Sequence, residues 1–326
     1  MSPALPPALR AALEDLAGRF PGRDLAAASR RLTEDYKAGR GSRLPSPVDV
    51  AAYATARMPA TYAACASALA QARERTDAMP HTLLDIGCGP GTAAWAVTEA
   101  FPELGAVTLI DAHPGMIALG RDLARSGPPA LVAADWRRGG FADVTAAADI
   151  VIASYALNEV IPAEAARTAA RLYGLAGQLL VLVEPGTPNG FAGLAAARSA
   201  LVSAGARIAA PCPGESTCPA IAPDWCHFSV RLPRLRAHKA AKGADVPFED
   251  EPFSYLVVAK PGVAVTPAGA RILRPPRTGK AGTDFALCTP RGALGTTVPS
   301  RDRETHRLTR RLGWGDAFPL SPEDQP

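Results

Sequence analysis

The stretch Thr82-Leu83-Leu84-Asp85-Ile86-Gly87-Cys88-Gly89-Pro90-Gly91 decides the fold. A short apolar run enters a loop with glycine at 87, 89 and 91, and helical sequence follows. Glycines so placed let the backbone turn sharply and approach a ligand with no Cβ in the way. Working outward, AVTLID (106–111), ALVAAD (130–135), DIVIASYAL (149–157) and GQLLVLVEP (177–185) are further short apolar runs with helical sequence between them. Near-continuous apolar strands alternating with helices predict a parallel sheet covered on both faces. CHFSVRLPR (226–234) and FSYLVVAK (253–260) follow with no long helix between them and predict an antiparallel pair at the sheet edge.

Three regions result: a helical N-terminal region (1–75), the α/β core (76–262) with a cysteine loop at 211–227, and a basic C-terminal segment (263–326). In the first, Leu9, Leu13, Leu16 and Phe20 recur at helical spacing, and Leu25 to Tyr36 continues the pattern. A Pro/Ser break at 44–47 precedes the stretch Val48–Arg73, which contains ARMPATYAACASAL (56–69), an Ala-rich helix with Pro59 expected near its first turn. In the last, RILRP and DFALCTP predict short strands, and LSPEDQP reads as a frayed end. With 326 residues, nearly half of them apolar, the chain can bury a sizeable core. No uncharged apolar run reaches the roughly 18 residues that a membrane helix needs, and the N-terminus has no apolar signal core. A cytoplasmic protein is the expectation. Its six cysteines are then reduced, as ligands or core residues rather than disulfides.

The glycine loop in its strand–loop–helix setting, with Asp111 ending the next strand, resembles the S-adenosylmethionine site of the Rossmann-like class I methyltransferases. The spacing is GxGxG and not the dinucleotide fingerprint GxGxxG. Five parallel strands plus an antiparallel pair also match that family's seven-stranded sheet. The resemblance implies that Asp85, Gly87, Gly89 and Gly91 line the methionine end of the cofactor, that Asp111 binds the ribose, that Asp135 and Trp136 lie beside adenine, and that Ser154–Glu159 face the substrate. Catalysis is less legible. The Asn/Asp-Pro-Pro-Tyr/Phe sequence of many amino methyltransferases is replaced by SYALNE, and no cysteine stands nearby to attack a pyrimidine ring. Asn158 and Glu159 read equally as polar orienters or as a helix start.

Cys212, Cys218 and Cys226 are separated by five and seven residues in PCPGESTCPAIAPDWCHF, with Cys288 downstream in ALCTPRG. Four thiolates suit zinc or an iron–sulfur cluster. The spacing is wider than a zinc knuckle and leaves both open. Cys288 as fourth ligand would staple the C-terminal segment to the core. His227 neighbours Cys226 at a strand start, where adjacent side chains point to opposite faces. Cys65 and Cys88 read as packing residues. The net charge is +4, and Arg271 to Arg311 holds ten Lys/Arg against three acidic residues. That is either a phosphate-binding footprint or a solvated face.

Together PATYAA (59–64), DIGCGPG (85–91), EPGTPNGF (184–191), the cysteine block with WCHFS (211–229), RILRPPR (271–277), LCTP (287–290) and WGD (314–316) resemble the methyltransferase-like proteins of the small ribosomal subunit, the relatives of a mitochondrial small-subunit assembly factor. The resemblance implies an α/β class I methyltransferase fold with a helical N-terminal extension and a cysteine-ligated C-terminal lobe. It also implies a 4Fe-4S cluster on Cys212, Cys218, Cys226 and Cys288, with zinc as the alternative. Arg271, Arg274, Arg277 and Lys280 would then face rRNA. The expected role is a ribosome-associated assembly or translation factor, monomeric off the ribosome, partnered with the small subunit and its 16S rRNA. An active S-adenosylmethionine-dependent rRNA methyltransferase is the alternative.

Overall fold

The computed structural model describes residues 3–37, 44–220, 223–234 and 247–320. Its first three elements are helices: α1 (Pro7–Gly18), α2 (Gly22–Lys37) and α3 (Pro47–Arg75). Helix α3 starts earlier than the sequence suggests. Ser46 caps it by accepting from Asp49 N, and Pro47 takes the first turn, where no N–H is needed. Pro59 sits inside the helix, buried. The alanine-rich face of α3 lies against α4 and the sheet in one core cluster with α1, α2 and α5.

The α/β core follows as β1 (Thr82–Ile86), α4 (Thr92–Ala100), β2 (Ala106–Asp111), α5 (Pro114–Ala124), the short turn α6 (Pro129–Val132), β3 (Asp135–Arg138), β4 (Ala148–Ser154), α7 (Pro162–Leu175), β5 (Ala176–Pro185), α8 (Pro188–Ser203), β6 (Arg207–Ala210), β7 (Phe228–Pro233) and β8 (Phe248–Ala259). The strands order as β3-β2-β1-β4-β5-β8-β6, with β7 also on β8. The first five are parallel, and β8 runs antiparallel to β5. This is the class I methyltransferase sheet with one strand more. Twelve residues make β8 long enough for two short partners on one edge: β6 pairs with its Val257–Ala259 end and β7 with its Phe248–Phe253 end. The cysteine loop spans from one to the other and leads into β7, the strand read from CHFSVRLPR, while β6 is a further strand ahead of the loop. Helices α7 and α8 cover the second face.

The C-terminal segment is a second sheet of five antiparallel strands: β9 (Ala270–Ile272), β10 (Arg277–Thr278), β11 (Gly282–Thr289), β12 (Gly292–Pro299) and β13 (Ala317–Phe318). A short helix, Arg303–Thr309, leans on β12. The core of this sheet is small: Ala270, Ile272, Phe285, Leu287, Val298 and Phe318. The RILRP and DFALCTP strands are both present, as β9 and β11. The end LSPEDQP lies outside the described residues except for Leu320. Among the described residues no helix is long and apolar enough to cross a membrane.

Candidate functional site

Strand order reverses between β1 and its neighbours β2 and β4, and the crevice beyond their carboxyl ends is where open α/β sheets bind ligands. The glycine loop fills it. Gly87, Gly89 and Gly91 hold φ of +65°, +53° and +81°, a region that side chains disfavour. A Cβ on Gly87 would stand 2.8 Å from Ala156 Cβ, and one on Gly91 2.8 Å from Trp136 Cη2, whereas the space before Gly89 is open. Asp111 braces the loop: its Oδ2 accepts from Gly89 N at 2.7 Å and its Oδ1 from His113 N at 2.7 Å. Asp85 is fully buried beneath. Its Oδ2 accepts from Ala94 N at 3.1 Å, while Oδ1 has no partner. Burial, with the nearby Asp111 charge, pushes Asp85 up to about 8. Burial and Asp111 also raise Glu159. Three carboxyl groups thus lie at or beneath the loop, and one buried oxygen, Asp85 Oδ1, has no partner.

A buried acid with a raised pKa binds more protons folded than unfolded between about 4 and about 8, so stability falls as pH rises through that window. We expect the ligand-free protein to lose stability steadily from pH 5 to pH 8. Asp85→Asn should lessen the loss, and the part that remains belongs chiefly to Glu184, which burial also pushes up to about 8. Thermal melts across that range, on both proteins, check it.

The chain leaves β4 through Tyr155, the one non-glycine residue with positive φ (55°) among the described residues. Its N–H donates to Val183 O at 2.7 Å, and its hydroxyl to Glu251 Oε1 at 2.7 Å. Arg57 Nη2 of α3 lies 3.5 Å from the same carboxylate. Glu184, at the end of β5 and fully buried, organises the next turn. Its Oε1 accepts from Ala156 N (3.1 Å) and Leu157 N (2.8 Å), and its Oε2 from Asn158 N (3.0 Å). With its amide turned so that both ends are satisfied, Asn158 also donates to Glu184 Oε2 and Tyr155 O. Asn158 and Glu159 thus belong to a short 3-10 turn (Leu157–Glu159). Glu184 was legible only as part of the family block EPGTPNGF; an acid ending an apolar strand was the signal.

Asp135 and Trp136 require a correction. The apolar run ALVAAD is not the third strand: Pro129 starts a helical turn there, and β3 is Asp135–Arg138. Asp135 pairs with Thr108 and Trp136 with Leu109, at the start of the strand rather than its carboxyl end. Asp135 ion-pairs with Arg137 at the exposed edge. Trp136 is buried with its ring against Gly91 and Gly120. The residues that reach the crevice from β3 are those after Arg138, where Gly139 N donates to Asp111 O.

The second site lies between the two sheets. Cys212, Cys218, Cys226 and Cys288 all line one hollow of about 680 Å³, its open mouth included, together with Arg198, Arg271 and Arg274. Cys212 comes from the end of β6, Cys218 from the loop, Cys226 from just before β7, and Cys288 from β11. All are free thiols. Among the described residues no group of three or more His, Cys, Asp or Glu is arranged to hold a metal ion. Burial raises Cys212 and Cys226, and pushes Cys288 up to about 12. The loop is well held: Glu215 accepts from Ile208 N, Ser216 Oγ donates to Pro290 O, Trp225 Nε1 donates to Gly186 O, and Ser254 Oγ donates to Cys226 O. His227 does not line the hollow. It stacks on Trp225 at 4.9 Å and meets Trp314 edge-on.

The basic residues separate into three groups. Arg271 is a correction: at 1% exposure it faces inward and cannot meet a phosphate backbone. It donates from Nε to Pro211 O and from Nη1 to Gln71 Oε1 and Gly315 O. Its position on β9 opposite Cys288 turns it into the hollow. Arg274 is part-buried and ion-paired with Asp224. Arg277 and Lys280 are exposed, as are Arg301, Arg303, Arg307, Arg310 and Arg311 on and around the Arg303–Thr309 helix. The exposed positive surface thus centres on 301–311 more than on 271–280.

The family described as mitochondrial small ribosomal subunit Rsm22 matches residues 47–319. The human protein "Ribosome assembly protein METTL17, mitochondrial" is 28% identical over 288 residues, which is 82% of this chain and 62% of that protein. The Schizosaccharomyces pombe "Rsm22-cox11 tandem protein 2, mitochondrial" is 26% identical over 366 residues, 93% of this chain and 47% of that protein. The chain therefore spans less than two thirds of the length of these relatives. Among solved structures, the magnesium protoporphyrin IX methyltransferase ChlM of Synechocystis is similar at a TM-score of 0.42, with 15% identity, over 70% of this chain and 93% of that one. That likeness bears on neither substrate nor cofactor.

Proposed function

Because the chain belongs to the family of the mitochondrial small ribosomal subunit protein Rsm22, we propose that it is a ribosome assembly factor that docks on small-subunit 16S rRNA, with a methyltransferase fold as its frame. The family match covers α3, both sheets, the cysteine loop and the basic stretch, not the methyltransferase sheet alone. One observation favours assembly over methyl transfer. After β4, where a methyl acceptor would be oriented, the Tyr155 hydroxyl is committed to Glu251 on β8, and the Asn158 amide and both Glu184 oxygens to holding the turn itself. The test is sedimentation with immature small subunits, run beside transfer of labelled methyl from S-adenosylmethionine. Co-sedimentation without label is expected. Label in 16S rRNA that disappears in Asp85→Ala would replace this reading with an rRNA methyltransferase.

The crevice fits S-adenosylmethionine on two counts: Asp85 Oδ1 is a buried acceptor lacking a donor, and Gly89 leaves open space. Asp85, Gly87, Gly89, Gly91 and Asp111 would hold it, Asp85 meeting its ammonium group. When bound, the cofactor supplies an activated methyl group.

The hollow brings four thiols together with buried arginines, a lining suited to an anionic group bound by thiolates, with zinc as the alternative to a cluster. Arg271 lines the same hollow and carries a buried, unpartnered Nη2, a donor suited to an anionic group. Cys212, Cys218, Cys226 and Cys288 would be the ligands of a 4Fe-4S cluster, which supplies a rigid cross-link between the two sheets.

The exposed arginines would meet phosphate. Replacing Arg307 and Arg311 by Ala should weaken rRNA binding uniformly across sequences and lower the slope of log affinity against log salt by roughly 2. A filter-binding salt titration reads it, and an unchanged slope would move the RNA contact elsewhere.

A further inference from the structure

We propose that Arg198 and Arg271 are positioning residues for the group held in the thiol hollow, buried cations that donate N–H to its sulfur atoms and offset its negative charge. This rests on the cluster reading and adds to it what surrounds the ligands.

The two side chains reach the hollow from different elements, α8 and β9. Arg198, on α8, is 9% exposed. Its Nη2 donates to Gly214 O at 3.0 Å and Ser216 O at 2.7 Å, two carbonyls of the cysteine loop, and this grip aims Nε at Cys212 Sγ, 3.4 Å away. Arg271, on β9, is 1% exposed. It is held by Pro211 O, Gln71 Oε1 and Gly315 O at 2.7–2.9 Å, and Nη2 alone has no partner. The partners of both guanidiniums are neutral: carbonyls, one amide oxygen and one thiol. A buried cation without a counter-charge is costly, so two in one hollow call for an anion there. Four thiolates around an iron–sulfur core provide one, with sulfurs that accept hydrogen bonds. Donors to cluster sulfurs and nearby positive charge stabilise the more negative, reduced state and raise the reduction potential.

The test reconstitutes the whole chain anaerobically with ferrous iron and sulfide, for wild type, Arg198→Met, Arg198→Lys and Arg271→Lys. Iron and acid-labile sulfide content, bleaching by a chelator, and the midpoint of one-electron reduction by dithionite are measured. Circular dichroism of each apo form reports folding. Arg198→Met should bleach about tenfold faster and take up its electron at a more negative potential. Arg198→Lys should recover part of both, since it returns the charge without the fixed Nε. Arg271→Lys, which keeps charge and loses Nη2, should also bleach faster. Folded variants that bleach at the wild-type rate with an unchanged midpoint would overturn the proposal and leave the cluster reading standing. Wild type that takes up no iron would overturn the cluster reading, and this inference with it.

Discussion

Glu184→Ala is expected to cost about 4 kcal/mol of stability or to abolish soluble expression. The carboxylate accepts from three successive amides, Ala156, Leu157 and Asn158, at full burial. Each orphaned buried donor costs roughly 1–3 kcal/mol, and water has little access to repair the loss. The effect reaches the crevice, because Gly87 packs directly on Ala156. Once the turn relaxes, the glycine loop loses the wall it leans on. Glu184→Gln keeps the shape and one acceptor oxygen but presents an NH₂ to an amide donor, and should retain about half of the stability lost by alanine. Urea unfolding checks this: the midpoint should fall while the slope with denaturant stays constant. A Glu184→Ala protein within about 0.5 kcal/mol of wild type, the range of ordinary surface changes, would show that the turn is held by something else.

Glu184 also shows what the sequence conceals. Its chemistry is written in the letters, but its role depends on β5 ending beside β4, a long-range fact. The strands that read clearly were the doubly covered ones: β1, β2, β4 and β5 are apolar almost throughout because helices bury both faces. Strand β3, at the sheet edge, buries only Trp136 of its four residues, so DWRR reads as polar while the helical turn before it reads as a strand. Strand β12 alternates exposed and half-buried residues, buries only Val298 fully, and so carries a weak hydrophobic signal. Strand β6 is four residues long and depends on β8 for its partner. Helix α3 was misjudged at its start because Pro59 is a stronger helix-start signal than Ser46-Pro47, yet packing against the sheet carries the helix through the missing donor. The cysteine set was legible from density and spacing, and the structure does bring the four thiols to one hollow. The arginines were not legible. Arg271 and Arg277 look alike in RILRPPR, and only strand register sends one inward beside Cys288 and leaves the other exposed.

Cys288→Ser is expected to release the C-terminal sheet while leaving the methyltransferase sheet folded. Of the four thiols only Cys288 belongs to the second sheet, so a cross-link through the hollow depends on it. That sheet needs the link. Its core offers five large apolar side chains at about 2 kcal/mol each. Ordering the backbone of a segment this long costs roughly 1 kcal/mol or more per residue. The other ties among the described residues are mostly polar: the Thr76–Val265 bridge with Asp77 and Ala264 beside it, Ser216 to Pro290, Arg271 to Gln71 and Pro211, Arg274 to Asp224, and Trp314 edge-on to His227. The serine variant should therefore lose its iron, show amide exchange at least tenfold faster in β9–β13, and leave β1, β4 and β5 as protected as in wild type. Rupture of the sheet would also scatter the arginines at 301–311, so affinity for small subunits should drop by more than the Arg307/Arg311 double substitution alone produces. Hydrogen exchange and sedimentation on the same preparation separate the outcomes. Full iron loss with unchanged exchange in β9–β13 would mean that the cluster is not the staple, and its place between the sheets would need another account. Wild-type iron content in Cys288→Ser would remove that thiol from the ligand set.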